Sequence, residues 1–266
     1  MNILQEIADK RRRDVENRKR RMSLEAIRTR AEREALRERM EKGNFPFPFE
    51  KALSGEALQF ICEVKRASPS KGIISANFPY LEIALDYEQA GAGALSVLTE
   101  PEYFLGKDEY LKEIAGKVSL PVLRKDFTID AYQIYEARLL GASAVLLICS
   151  LLEQEKLKEF LELAHGLGLS ALVETHDENE VERALKAGAR IVGVNNRDLK
   201  TFQVDIRRSV ALRKLVPKEV LFVSESGIEK AADIQTLREN QVNAVLIGEA
   251  LMKSQDKKRL LKELKG

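Results

Sequence analysis

Cysteine and histidine are nearly missing, with two of each in 266 residues. Cys62 and Cys149 lie far apart, each inside an apolar run and without metal-ligand spacing. That leaves no disulfide framework and no cysteine zinc site, and reads as two buried free thiols in a reducing compartment. His165 and His176 belong to no zinc or nucleophile–base motif, so a histidine-centred mechanism has little to work with. No apolar run is long enough to span a bilayer, and Met1 to Arg21 has no signal-peptide core. The expected location is therefore cytoplasmic, without a membrane partner. Charge of one dominant sign is lacking as well: the formal net charge is +2, so no global basicity points to nucleic acid.

What charge there is lies unevenly. Residues 1–42 hold 14 Lys/Arg against 9 Asp/Glu. The clusters Lys10–Arg13 and Arg18–Arg21 look at first like a nucleic-acid patch, but acids interleave and dilute the field. Ile3, Leu4, Ile7, Val15, Leu24, Ile27 and Leu36 form a sparse apolar stripe. The pattern predicts solvated helices packed on the main body by that stripe. Phe45, Phe47 and Phe49, interleaved with Pro46 and Pro48, are expected to anchor the arm. The predicted division is an N-terminal helical extension, 1–47, and a catalytic domain, 48–266.

From residue 58 onward, short apolar runs alternate with helical stretches such as Glu153–Leu167 and Asn179–Ala187. The runs are Leu58–Lys65, Ala94–Thr99, Leu120–Lys125, Ala144–Cys149, Leu169–Glu174, Ile191–Asn195, Val220–Ser224 and Ala244–Gly248. Their starts are 36, 26, 24, 25, 22, 29 and 24 residues apart, one βα unit per step. Gly-Ala pairs at Gly91-Ala92, Gly141-Ala142 and Gly188-Ala189 stand where a helix should end. Strands apolar almost throughout suit a parallel sheet covered on both faces. Eight such units predict an α/β fold, a (β/α)8 TIM barrel with an N-terminal helical extension. A doubly wound open sheet is the alternative, disfavoured by the regular count and the missing dinucleotide fingerprint.

A barrel places its chemistry at the C-terminal strand ends. There the chain puts Glu63 and Lys65, Lys125-Asp126, Glu174, Asn195-Asn196-Arg197, Ser224-Glu225-Ser226-Gly227 and Gly248-Glu249. Strand alternation sets Glu63 and Lys65 on one side, and pairs Leu123 with Lys125, Leu172 with Glu174, Gly193 with Asn195 and Leu246 with Gly248. An isolated Glu-x-Lys is more often a surface ion pair. Two lysines and two glutamates converging on one mouth are harder to dismiss, because unpaired buried charge is costly. Desolvation would lower the pKa of such a lysine and an opposed glutamate would raise it; the sequence leaves that balance open.

The last two strand ends read as a phosphate site. Ser226-Gly227 and Gly248-Glu249 occupy the loops where barrels bind phosphate through backbone N–H groups, and glycine lets the backbone come close. The Glu249 carboxylate fits only if its side chain turns away from the anion.

In these segments the chain closely resembles the indole-3-glycerol-phosphate synthase family. The matching segments are Glu63-Val64-Lys65-Arg66-Ala67-Ser68-Pro69-Ser70-Lys71-Gly72, Ser96-Val97-Leu98-Thr99 with Tyr103-Phe104, Leu123-Arg124-Lys125-Asp126-Phe127, Leu172-Val173-Glu174, Gly193-Val194-Asn195-Asn196-Arg197-Asp198-Leu199, Glu225-Ser226-Gly227-Ile228 and Leu246-Ile247-Gly248-Glu249. They run in order over the whole barrel. The resemblance implies a carboxy-lyase of tryptophan biosynthesis acting on 1-(2-carboxyphenylamino)-1-deoxyribulose 5-phosphate. It would close the pyrrole ring, then lose carbon dioxide and water, with no metal and no organic cofactor. Carried over residue by residue, Lys125 is the general acid, and Lys65, oriented by Glu63, holds the carboxylate and serves the dehydration. Glu174 is the base or cation stabiliser of the later step. Ser68, Asn195 and Arg197 contact the substrate. Phe104, Phe127 and Leu246 pack its ring, and Ser226, Gly227, Gly248 and Glu249 take the phosphate.

Two rival readings remain at this stage. A lysine near a phosphate site also suits a Schiff-base aldolase. A non-catalytic phosphate-ligand binder or basic-helix adaptor is the other. The partners expected are a phosphorylated small molecule, no nucleic acid and no membrane; a monomer suffices.

Overall fold

The computed structural model describes residues 3–198 and 203–266. Eight parallel strands close into a barrel: β1 (Gln59–Val64), β2 (Ala94–Leu98), β3 (Val122–Lys125), β4 (Ala144–Ile148), β5 (Ser170–Thr175), β6 (Ile191–Asn195), β7 (Leu221–Glu225) and β8 (Ala244–Ile247). Each pairs with its sequence neighbours, and β1 closes the ring between β2 and β8, with Ile61 opposite Ala94 and Cys62 opposite Ile247. The fold is the TIM barrel that the spacing predicts. The strands run one or two residues short of or past the apolar runs, so Lys65, Thr99 and Gly248 stand just beyond strand ends.

Alternation along each strand sorts the side chains. Phe60, Cys62, Val97, Val145, Val173, Val194, Phe222 and Val245 face the helices and join the large outer core. Ile61, Ala94, Leu123, Leu146, Leu172, Ile191, Val223 and Leu246 fill the barrel itself. A one-residue slip on any strand would exchange the two sets, so the register is strongly specified.

The arm comprises α1 (Ile3–Arg21) and α2 (Leu24–Lys42); α3 (Pro48–Leu53) leads into β1. Phe49 and Leu53 of α3 are fully buried against the barrel's interior set, each worth about 1.5–3 kcal/mol in removed apolar surface. Phe47 lies edge-on to His165 with the Arg190 guanidinium over its ring, and Phe45 packs at Gly168, where a Cβ would come within 2.6 Å of the ring. The aromatic anchor therefore exists.

The apolar stripe needs a correction. Leu4, Ile7, Val15 and Ile27 are buried, but Leu24 and Leu36 are exposed. On α2 the packing face is Ile27, Ala31 and Ala35, four apart, where small side chains let the helix lie close on its neighbour.

The outer ring follows as α4 (Tyr80–Gln89), α5 (Asp108–Ala115), α6 (Ala131–Leu139), α7 (Gln154–Gly166), α8 (Glu178–Lys186), α9 (Arg207–Arg213), α10 (Ala231–Glu239), α11 (Glu249–Lys253) and α12 (Lys257–Lys265). After α4, α6 and α8, Gly91, Gly141 and Gly188 take left-handed φ of 82°, 83° and 89°. The following alanine N–H then bonds back into the last helical turn, as Ala189 does to the Ala184 carbonyl at 3.0 Å. The loop after β1 folds over the mouth as a short hairpin that pairs Ala67–Ser68 with Gly72–Ile73.

Candidate active site

A cavity of about 210 Å³ opens at the C-terminal end of the barrel. Every site residue expected from the sequence lines it: Glu63, Lys65, Ser68, Phe104, Lys125, Phe127, Glu174, Asn195, Arg197, Ser226, Gly227, Leu246, Gly248 and Glu249. Leu199, quoted in the Asn-Asn-Arg-Asp-Leu segment, lies outside the described residues. Strand parity explains the convergence, since Glu63, Glu174 and Glu225 share faces with the interior residues Ile61, Leu172 and Val223.

Two ammonium–carboxylate pairs stand in the mouth. Lys65, just past the end of β1, donates to Glu63 Oε1 on that strand. Lys125 Nζ donates to Glu174 Oε2 at 2.9 Å and lies 3.6 Å from Glu225 Oε2. Burial opposes the charge on Lys125. Glu174, Glu225 and Glu63 together outweigh it and hold the lysine above its ordinary range, so it stays an ammonium. Burial likewise opposes the charge on Glu174. Lys125, then His176, overcomes that and keeps the carboxyl well below the usual range. Asn195 Nδ2 adds a bond to Glu174 Oε1 at 3.1 Å, while Asn195 Oδ1 accepts the Arg197 N–H at 3.0 Å, which fixes the amide's orientation.

Glu225 behaves in the opposite way, and the sequence reading gave it no role. Its Oε1 has no hydrogen-bond partner among the described residues. Burial pushes its pKa up to about 8, Lys125 only partly offsets this, and Glu174 and Glu63 add to it. One mouth thus holds an ionised carboxylate and a protonated one, the arrangement that separates base from acid. The signal was present in the sequence: Glu225 has the parity of Val223, as Glu174 has that of Leu172.

Two glycines make room for this chemistry. At Gly193 a Cβ would collide with Glu225 Oε1, and at Gly248 it would collide with Glu63 Oε1 and stand 3.0 Å from Lys65 Nζ. The loop after β7 is strained: Ser226 and Gly227 adopt φ of 69° and 78°, and the first is not a glycine. Asn196 holds it there, donating to Ser224 Oγ at 2.9 Å and to the Ser226 carbonyl at 3.0 Å. Glu249 does not swing clear of the mouth. Its carboxylate is gripped by Lys253 at 2.6 Å, Arg197 at 3.3 Å and Lys71 at 3.8 Å, which neutralise it locally. Ser68 Oγ is buried without a hydrogen-bond partner among the described residues.

The arm closes one side. Ile3, Leu4 and Ile7 of α1 line the cavity opposite the strand ends, with Phe104 and Phe127 beside them, the two rings 6.2 Å apart. Glu100 fixes the loop that carries Phe104 by accepting the N–H groups of Glu102, Tyr103 and Phe104 at 2.9, 2.7 and 2.9 Å.

A (β/α)8 barrel with buried ammonium and carboxyl groups set around an apolar, ring-sized cavity is an enzyme of proton-transfer chemistry. The sequence profile of indole-3-glycerol phosphate synthase matches residues 4–264. The protein of that name from Ruminiclostridium cellulolyticum is 65% identical over 221 residues, covering 83% of this chain and 85% of its own. That from Endomicrobium trichonymphae is 61% identical over 225 residues, covering 85% and 87%. More distant solved structures share the barrel. A 3-hexulose-6-phosphate synthase superposes with a TM-score of 0.63 at 16% identity, over 78% of this chain and 98% of that one. Tryptophan synthase from Pyrococcus furiosus gives 0.58 at 16% identity, over 79% and 97%. At that identity the likeness is of fold alone. The chain belongs to the indole-3-glycerol phosphate synthase family.

Proposed function

We propose that the cavity closes the indole ring of a 1-(2-carboxyphenylamino)-1-deoxyribulose 5-phosphate substrate, with each residue in the following role. Lys125, held as an ammonium, donates its proton to the ketone oxygen as the ring carbon bearing the carboxylate attacks the carbonyl carbon. A cation at that point stabilises the developing oxyanion as well as protonating it. Loss of carbon dioxide from the attacked ring carbon then restores the aromatic ring. Lys65, oriented by Glu63, first holds that carboxylate and afterwards protonates the departing hydroxyl, which leaves as water. Glu174 stabilises the resulting cation and takes the last proton. Glu225 is a second acid available near neutrality.

Phe104, Phe127 and Leu246 pack the aromatic ring, with Ile3, Leu4 and Ile7 as a fourth wall. Asn195 and Arg197 align the sugar portion, and Ser68 supplies a free hydroxyl. The strained backbone at Ser226 and Gly227, with Gly248 and the Glu249 N–H, takes the phosphate. Arg197 and Lys71 then have a phosphate to share with Glu249.

The observation that carries this reading is the charged state of Lys125. Three carboxyls around Lys125 keep it charged, the form that carries the proton and faces a developing oxyanion, and they disfavour the neutral amine that a Schiff-base aldolase needs. The test is fluorescence detection of indole-3-glycerol phosphate formed by the purified chain, with borohydride trapping on a sugar phosphate as the control. Turnover without trapping is the expected result; trapping without turnover would overturn the assignment.

The same reading includes residues 1–47 as an arm on a barrel of residues 48–266, a monomer working in the cytoplasm, and no nucleic-acid partner. Free buried thiols at Cys62 and Cys149 are compatible with a reducing compartment. Among the described residues no helix is long and apolar enough to cross a membrane. The basic stretch of α1 is largely spent on Asp9, Asp14, Glu16, Asp108, Asp126 and Asp130, which leaves little field for phosphate backbones.

A further inference from the structure

His176 is assigned nothing by the chemistry above, yet it touches it. It stands two residues beyond Glu174, just past the end of β5. Its ring is mostly buried, with Nε2 3.5 Å from Glu174 Oε1 and Nδ1 3.0 Å from Glu180 Oε2. Glu180 is held in turn. It lies in the first turn of α8, its N–H bonds Asp177 Oδ1 at 2.8 Å, and its own carboxylate reaches back to the His176 N–H at 2.8 Å. One carboxylate therefore grips both the backbone and the ring of the histidine, and the ring cannot swing without breaking the start of α8.

The contacts decide the ring's protonation. Nδ1 faces a carboxylate and must carry hydrogen. A neutral ring would then aim the Nε2 lone pair at the Glu174 carboxylate, acceptor against acceptor, in a buried place. Among the described residues Nε2 has no hydrogen-bond partner, so its approach to Glu174 is one of charge. With hydrogen on both nitrogens the ring is a cation between two anions, and the two carboxylates raise its pKa to about 10 against the opposing effect of burial. The other groups around it are already engaged. Arg183 of α8 bonds the carbonyls of Cys149 and Leu152, and the Cys149 thiol bonds the Glu180 carbonyl. Asn195 at the end of β6 bonds Glu174, and Arg208 of α9 lies near the Asn195 carbonyl and Asp198. Across the mouth stand Lys125 and Glu225.

We propose that His176, carried by Glu180, is a cationic positioning residue for Glu174, keeping that carboxylate turned between Lys125 and Asn195 while the hydroxyl departs. The proposal rests on the role given to Glu174 above. It makes the unit larger than the lysine–glutamate pair: a row of Glu180, His176, Glu174 and Lys125 in alternating charge, running from the start of α8 into the cavity. A histidine that only capped α8 would need its backbone N–H and Nδ1, and its charge would have no bearing on turnover.

The chain has two histidines, so the ring resonances of the intact protein can be assigned by one substitution. Expected is a His176 signal that stays protonated from pH 5 to 8.5. In Glu180→Gln its pKa should fall by about 1–3 units, as for loss of one adjacent opposite charge. In steady-state assays Glu180→Gln should keep near-normal kcat at pH 6 and lose it as pH rises through that lowered pKa, with KM changing little. Glu180→Asp should restore the original profile. His176→Asn should lower kcat tenfold or more at all pH values. A His176 that titrates near 6.5 in the unaltered protein overturns the proposal, as does a Glu180→Gln profile superimposable on the original. If His176→Asn does not fold, the resonance titration and the Glu180 variants still decide. An unaltered protein that forms no indole-3-glycerol phosphate would sink the functional reading instead, and the resonance titration would be unaffected by that failure.

Discussion

Arg11 and Asp126 are 115 positions apart and joined at 2.8 Å, each side chain 1% exposed. The bond ties the first helix to the residue after Lys125. Asp126 also accepts from Thr99 Oγ1 at 2.6 Å and sits 3.5 Å from Arg124, which itself holds Asp108 and Glu136. The arm is therefore wired to the end of β3 by buried charge as well as by apolar contact. Arg11→Met should cost about 3 kcal/mol, the low end for stranding a buried partner, because Thr99 and Arg124 still serve Asp126. Urea denaturation checks the stability. KM should rise as well, since Ile3, Leu4 and Ile7 are carried on the same helix; an unchanged KM would separate the arm from the site.

Lys125→Met removes the proposed proton donor and keeps the length of the side chain. Loss of a general acid should lower kcat by about 10²–10⁴ while the circular dichroism spectrum holds; Tm should fall, because the buried Glu174 loses its ammonium. Near-normal turnover would end the assignment of Lys125.

Glu225→Gln tests the raised pKa. A carboxyl whose pKa rises on folding stabilises the fold fully below its unfolded value, and that contribution is lost as pH climbs through the folded value of about 8. The unaltered protein should therefore lose stability between about pH 4.5 and 8 from this group, and the glutamine variant should not. Denaturation midpoints at pH 5 and pH 8.5 give the comparison. The variant's advantage must appear at the higher pH, and an advantage confined to low pH would contradict the sign.

Gly227→Val attacks the loop proposed to take the phosphate. The position has φ of 78°, and a Cβ there would strike Val204 Cγ1. The loop must shift, so KM for the phosphorylated substrate should rise with a smaller change in kcat. A fall in kcat at constant KM would assign the loop to the chemistry instead.

The barrel was legible because its parity is written in apolar residues: Val145 and Leu147 outward, Leu146 and Ile148 inward, and so on around the ring. The site was legible for the same reason, as charged residues at strand ends inherit the parity of the apolar ones before them. Glu225 slipped past because it sits inside a Ser-Glu-Ser-Gly stretch that reads as a turn. The role of α1 as a wall was hidden for a different reason. Ile3 and Ile7 are visibly apolar, but what they cover is set by contacts more than a hundred residues away. Leu24 and Leu36 misled because residue size was weighed above spacing; on α2 the alanines make the contact.

The packing of Gly248 against Glu63 has an evolutionary corollary. The φ of −124° at Gly248 is not left-handed, and what stands against a side chain there is chiefly the Glu63 carboxylate, with the Lys65 ammonium 3.0 Å away. Positions 63 and 248 are consequently epistatic. Gly248→Ala by itself should displace Glu63 from Lys65 and depress kcat. Glu63→Asp draws the carboxylate back by one methylene, and in that background the same alanine should cost far less. A double-mutant cycle on kcat/KM reads the coupling directly, and strict additivity would disprove it. Under this constraint the alanine is accessible to the lineage only after the aspartate, so the order of the two changes matters as much as their identity.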